Sequence, residues 1–215
     1  MHPLFRATLL AATLAAPLAT PPTAHAEDAR FPALTQEQMS PEQRRVADAI
    51  AGGPRGRIAG PFNAWLRSPD IGDRLQRVGE GVRFKSSIPR DLNEFAILIV
   101  AREWTAQYEW YAHHSLAMQA GLPEHVAADL AQGRKPRRMT ADHALVYDFC
   151  KQLHRDHQVS DATFNAVKAR FGEQGVIDLI AVSGYYVVVS MTLNTAQTQL
   201  PAGVAPPLPI LRNRR

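Results

Sequence analysis

An all-α fold is predicted by three features of the sequence. Apolar residues recur at helical spacing along almost the whole chain. No segment sustains the two-residue alternation that a half-buried strand requires. The apolar runs are also bracketed by residues that start and stop helices.

The elements follow in order. Ser40-Pro41-Glu42-Gln43 opens a helix, with Ser40 as N-cap, Pro41 in the first turn and Gln43 placed to close a capping box; Gly52, Gly53 and Pro54 end it. The Gly-, Pro- and Arg-rich stretch 53–60 reads as a loop leading to Pro61-Phe62-Asn63-Ala64-Trp65-Leu66. Ser68-Pro69-Asp70 restarts a helix whose apolar stripe is Ile71, Leu75, Val78 and Val82. Ile88-Pro89-Arg90-Asp91 opens another, apolar without interruption from Phe95 to Ala101, which predicts a central position. A further helix spans 105–120 and stops at Gly121-Leu122-Pro123, where the next begins. Thr140 caps a helix reaching about His154, and Ser160 caps one ending at Gly172. The last long helix covers about 174–198, and the Pro-rich stretch from Pro201 cannot continue it.

Three regions result. Residues 1–26 read as a signal peptide, with Arg6 ahead of an Ala- and Leu-rich run from Ala7 to Ala19, a loosening stretch at Pro21-Pro22-Thr23, and cleavage after Ala24-His25-Ala26. That run is too short to span a bilayer comfortably, so export to the periplasm or the medium is expected, with no membrane attachment after cleavage. Residues 27–200 form a single helical domain, and residues 201–215 a Pro- and Arg-rich tail. The mature length suits one domain with a real core.

Composition narrows the function classes. The chain is 46% hydrophobic and 20% charged, with a formal net charge of +4. Basic and acidic residues are interleaved and no basic stripe carries aromatics, so nucleic acid is not an expected partner. Arg134, Lys135, Arg137 and Arg138 read most simply as a solvated loop, with an anion-attracting rim as the rival reading. The single cysteine, Cys150, has no internal disulfide partner and lies on an apolar helical stripe, which predicts a buried structural thiol. His154 and His157 lack a third ligand nearby, so neither a metal nor a cofactor is expected; helix C-terminal charge complementation accounts for them.

The chemistry-bearing stretch runs from Asp91 to His114. Glu109 and His113 are one helical turn apart, so both project from one face and can meet. A carboxylate beside an imidazole raises its pKa and fixes its tautomer, as a proton-transferring pair requires. Glu94 sits among Phe95, Ile97, Leu98 and Ile99, where an unpaired carboxylate would be costly to bury, so it calls for a partner. A surface pair with Glu94 as a helix-start carboxylate is the bland alternative. His114 points about 100° away from His113 and reads as surface or packing. Trp104, Tyr108, Trp110 and Tyr111 could line a pocket, though at least two of them read as core or subunit interface.

Glu94 in a long apolar helix, then Arg102-Glu103-Trp104, then Tyr108-Glu109-Trp110-Tyr111-Ala112-His113 ahead of Gly121-Leu122, resembles the core of the carboxymuconolactone decarboxylase and AhpD-like family. The resemblance extends through Ser160-Asp161-Ala162-Thr163-Phe164 to Leu193-Asn194. It implies an AhpD-like helical bundle and assembly into trimers or hexamers. In the peroxidase branch a CxxC pair precedes the histidine, and those two positions fall here on Ala106 and Glu109, so thiol peroxidase chemistry is not expected.

The resemblance therefore implies a cofactor-independent acid-base enzyme of the decarboxylase type. It would act on a small anionic or oxygenated substrate, with His113 moving the proton, Glu109 orienting and tuning it, and Glu94 completing a relay. The alternative is a family scaffold that has lost thiol chemistry and serves as a binding or assembly protein.

Overall fold

The computed structural model describes residues 30–211, which contain eight helices and no strand. The signal-peptide expectation lies outside the described residues, as do Arg212, Arg214 and Arg215.

Local capping chemistry places most of the boundaries. Helix α1 (Pro41–Ala51) carries the full capping box: Ser40 Oγ accepts from the Gln43 N–H and Gln43 Oε1 accepts from the Ser40 N–H. After α2 (Phe62–Trp65) and α3 (Pro69–Phe84) comes α4 (Arg90–Glu103), buried continuously from Leu92 to Arg102. Helix α5 (Gln107–Ala120) ends at Gly121, whose φ of 100° only glycine adopts without strain. Then come α6 (Glu124–Ala131), α7 (Ala141–Arg155, capped by Thr140) and α8 (Asp161–Ala196, capped by Ser160). The predicted break at Gly172 is a kink with φ 73° and ψ 178° inside α8, so the last two expected helices run nearly end to end.

Helix α4 is the axis of the molecule, as its apolar run predicts. It packs against α5, α6, α7 and α8, and Phe95 to Ala101 are wholly excluded from solvent. Burying each large side chain of this run contributes about 1.5–3 kcal/mol. Helix α8 has a segment long and apolar enough by composition to cross a bilayer, and half of that segment is buried inside the molecule.

Helix α3 departs from the expected stripe. Ile71 and Val78 are half exposed, while Gly72, Gln76, Gly79 and Val82 face inward. Steric fit decides this. A Cβ at Gly72 would approach the Trp65 carbonyl oxygen to 2.7 Å, and one at Gly79 would collide with the Tyr185 phenol. The face with the smallest residues is the one that can lie against α2 and α8, and Ile71 and Val78 are turned outward.

The C-terminal tail is non-helical, as its prolines require, yet it is packed. Leu208 is 2% exposed and belongs to the core, and Gln107 bonds its backbone at both N and O. A compositional boundary at residue 200 therefore does not end the packed body, because one apolar side chain among prolines is enough to anchor a non-helical stretch of chain.

Candidate active site

Glu94 lies in the second turn of α4, and Glu109 and His113 lie one turn apart on the antiparallel α5, so close packing of the two helices brings the three together. His113 Nδ1–H donates to Glu94 Oε2 at 2.7 Å, and Nε2 lies 3.1 Å from Glu109 Oε1. All three side chains are at least nine-tenths buried. The second contact is an ion pair without hydrogen-bond alignment: Glu109 Oε1 is buried and has no hydrogen-bond partner among the described residues. The orienting bond thus comes from Glu94, on the far side of the ring, and Glu109 stands on the Nε2 side.

The environment holds His113 as an imidazolium at neutral pH. Burial alone would lower its pKa, but the Glu109 and then the Glu94 carboxylate more than offset this and push it up to about 9. From α8, Tyr186 meets the imidazole edge-on with ring centroids 5.1 Å apart. Burial, foremost, raises the pKa of both Tyr185 and Tyr186, which keeps both phenols protonated.

His113 and Glu109 line a cleft of about 470 Å³, a volume suited to a small molecule. Its other walls are aromatic and basic: Phe62, Tyr108, Tyr111, Tyr185 and Tyr186, with Arg55 and Arg57 from the loop before α2 and Arg83 from α3. Among the described residues no carboxylate lies within ion-pairing distance of these three arginines. Arg55 is packed over the Phe62 ring at 4.8 Å and Arg83 over Phe84 at 4.9 Å, which limits their freedom without neutralising them. Glu94 lines a second cleft of about 410 Å³, and Arg83 borders both clefts. The acid-imidazole-acid array therefore bridges two clefts.

The remaining sequence expectations find their places. Trp110 is core, Trp104 is partly exposed at the end of α4, and Tyr108 and Tyr111 line the cleft. His114 stacks on Trp110 and lies 3.7 Å from Glu124, away from the site. The basic loop is no anion-attracting rim: Arg134 and Arg137 both close on the buried Asp129 carboxylate, which holds its pKa far below the usual range. Cys150 is fully buried beside Ser183, and burial pushes its thiol up to about 12.

Sequence reasoning missed the basic wall. Arg55 and Arg57 sit in a stretch read only as a loop, Arg83 lies on α3 outside its apolar stripe, and Tyr185 and Tyr186 are hidden in the apolar run of α8. The recurrence of arginine in the glycine-rich 53–60 stretch was the available signal.

No protein-family model and no curated protein matches the chain. Two crystal structures share its fold. One is an alkylhydroperoxidase AhpD core, an uncharacterized peroxidase-related protein from Ralstonia eutropha JMP134, superposing with a TM-score of 0.66 at 15% identity over 81% of this chain and 93% of that one. The other is an uncharacterized peroxidase-related protein from Silicibacter sp. TM1040, with a TM-score of 0.65 at 12% identity over 80% and 91%. Likeness at this level of identity is likeness of architecture: the protein has the AhpD-like all-α fold.

Proposed function

We propose that this protein is a cofactor-independent acid-base enzyme acting on a small anionic substrate, by decarboxylation of a lactone acid or a related hydration or isomerisation step. The observation that carries the reading is the buried Glu94-His113-Glu109 array opening on a cleft that three unneutralised arginines also line. In a decarboxylation the bond to the carboxylate carbon breaks, carbon dioxide leaves, and the electron pair remains on the adjacent carbon as an enolate. The arginines bind the carboxylate and the developing oxyanion. His113, held through Nδ1 by Glu94, delivers its proton from the Nε2 edge to that carbon, and solvent restores it. The poorly aligned Glu109 contact leaves the Nε2–H without a hydrogen-bonded acceptor on the cleft side.

The peroxidase-related names of the two structural neighbours do not transfer as chemistry. Thiol peroxidase activity needs an accessible thiolate and a resolving thiol, whereas the one cysteine here is buried and protonated. The second reading is a binding protein on the same scaffold. It is favoured by the two carboxylates that flank His113, since they hold it as an imidazolium, which has no lone pair to act as a base. On either reading, self-association through the apolar residues exposed on α3 and α8 is part of the proposal.

Incubating the protein with lactone acids and β-keto acids in heavy water, and following substrate C–H signals by NMR, separates the two. Carbon dioxide release or C–H exchange that disappears in His113→Gln supports the enzyme. Ligand binding without exchange supports the binding protein, and full activity in His113→Gln overturns the assigned role.

A further inference from the structure

The turn that joins the two helices of the site is closed by backbone hydrogen bonds from Thr105 N–H to the Arg102 carbonyl at 3.1 Å and from Ala106 N–H to the Ala101 carbonyl at 2.8 Å, but its side chains add little. Thr105 has φ 48°, a left-handed conformation that a β-branched residue adopts only at a cost, and Ala106, at the N-cap of α5, has no side-chain oxygen to offer the free N–H groups that follow. Side chains and backbone from elsewhere brace it: Asn194 of α8 donates to the Trp104 carbonyl at 2.9 Å, and the far end of the chain supplies the rest. Gln107, the first residue of α5, donates from Nε2 to the Leu208 carbonyl at 2.8 Å and accepts the Leu208 N–H on Oε1 at 2.9 Å. Arg102, 1% exposed near the end of α4, donates to Thr105 Oγ1 at 2.7 Å, to the Ala131 carbonyl at 3.0 Å and to the Pro209 carbonyl at 2.9 Å. Leu208 is sunk in the core, and Leu211 lies so close over Gly133 that a Cβ there would collide with it.

The position of this turn matters to the site. Glu94 comes from α4, whereas Glu109 and His113 come from α5, so the placement of the two carboxylates about the imidazole depends on how α5 leaves α4. Gln107 and Glu109 belong to the same first turn of α5, one held by the tail and the other facing His113. Gln107 lines neither the cleft of His113 nor that of Glu94.

We propose that residues 207–211 are a positioning strap for the site: by binding Gln107 and Arg102 they lock the α4–α5 turn and hold Glu109 against His113. Gln107 is a positioning residue that acts through the first turn of α5. The inference rests on reading Glu94, His113 and Glu109 as the working groups, but its test needs no substrate, so it stands or fails separately from the proposed reaction.

The test is the titration of the His113 ring nitrogens by NMR in ¹⁵N-histidine protein, with the signal assigned by its loss in His113→Gln. A full-length Gln107→Ala variant and a chain ending at Pro206 are compared with the complete chain. The expected result is a midpoint at least one pH unit lower in both, with recovery in the shortened chain when a synthetic peptide of residues 201–215 is added. A midpoint unchanged in Gln107→Ala, with helical circular dichroism retained, overturns the proposal. If the shortened chain loses its helical signal, Gln107→Ala alone decides the matter.

Discussion

His113 shows how far one side chain's surroundings can reset its chemistry. Its folded-state pKa is raised from 6.5 to about 9, so its proton stabilises the fold fully below pH 6.5, and that contribution is lost as pH rises through 9. The size is at most about 3 kcal/mol. Urea unfolding of the wild type is expected to show stability declining between pH 6.5 and 9, and His113→Gln should lose that decline; parallel profiles would show that His113 is not held as an imidazolium. Cys150 is the opposite case, a thiol silenced by burial. A thiol-reactive reagent at pH 8 is expected to label it only after denaturant is added, and rapid labelling of the folded chain would reopen thiol chemistry. The pairing of Glu109 with His113 was legible from their four-residue spacing. The pairing of Glu94 with Nδ1 was legible only as a need for some partner, because a separation of nineteen residues carries no geometry until two helices pack.

At the scale of elements, helix α3 marks where sequence pattern stops being informative. Apolar periodicity on α3 selected Ile71 and Val78, yet the glycine face is buried, because contact distance limits packing before hydrophobicity can favour it. Gly79→Ala is therefore expected to destabilise the protein by about 1–3 kcal/mol, as overpacking does. It should also displace Tyr185 and with it Arg55, whose guanidinium lies against the same point. Chemical denaturation together with anion binding measured by calorimetry checks both effects; an unchanged midpoint would show that α3 can move away freely. Capping was far more readable. Ser40, Thr140 and Ser160 each accept the predicted backbone N–H, because a cap is decided within four residues and owes nothing to tertiary context.

At the scale of the whole molecule, the apolar surface is unevenly spread. Ile177, Ile180 and Met191 on α8 and Ile71 and Val78 on α3 are 45–62% exposed, while the rest of α8 supplies the core. A helix apolar on most faces is what a subunit contact requires. Light scattering is expected to show the chain as a multimer that Ile177→Glu with Ile180→Glu converts to monomer at unchanged helicity. A monomeric wild type would remove self-association from the proposal.

Read in isolation, the chain already specified its class, its helix boundaries to within a few residues, its central helix and the pairing of Glu109 with His113. Each of these follows from interactions among near neighbours or from the cost of exposing an apolar run. Packing alone settled which face of α3 turns inward, that Glu94 rather than Glu109 orients the imidazole, that arginines from two separate segments line one cleft with it, and that the tail returns to the α4–α5 turn. These depend on contacts between residues tens of positions apart, and such contacts exist only once the apolar core has drawn the helices together.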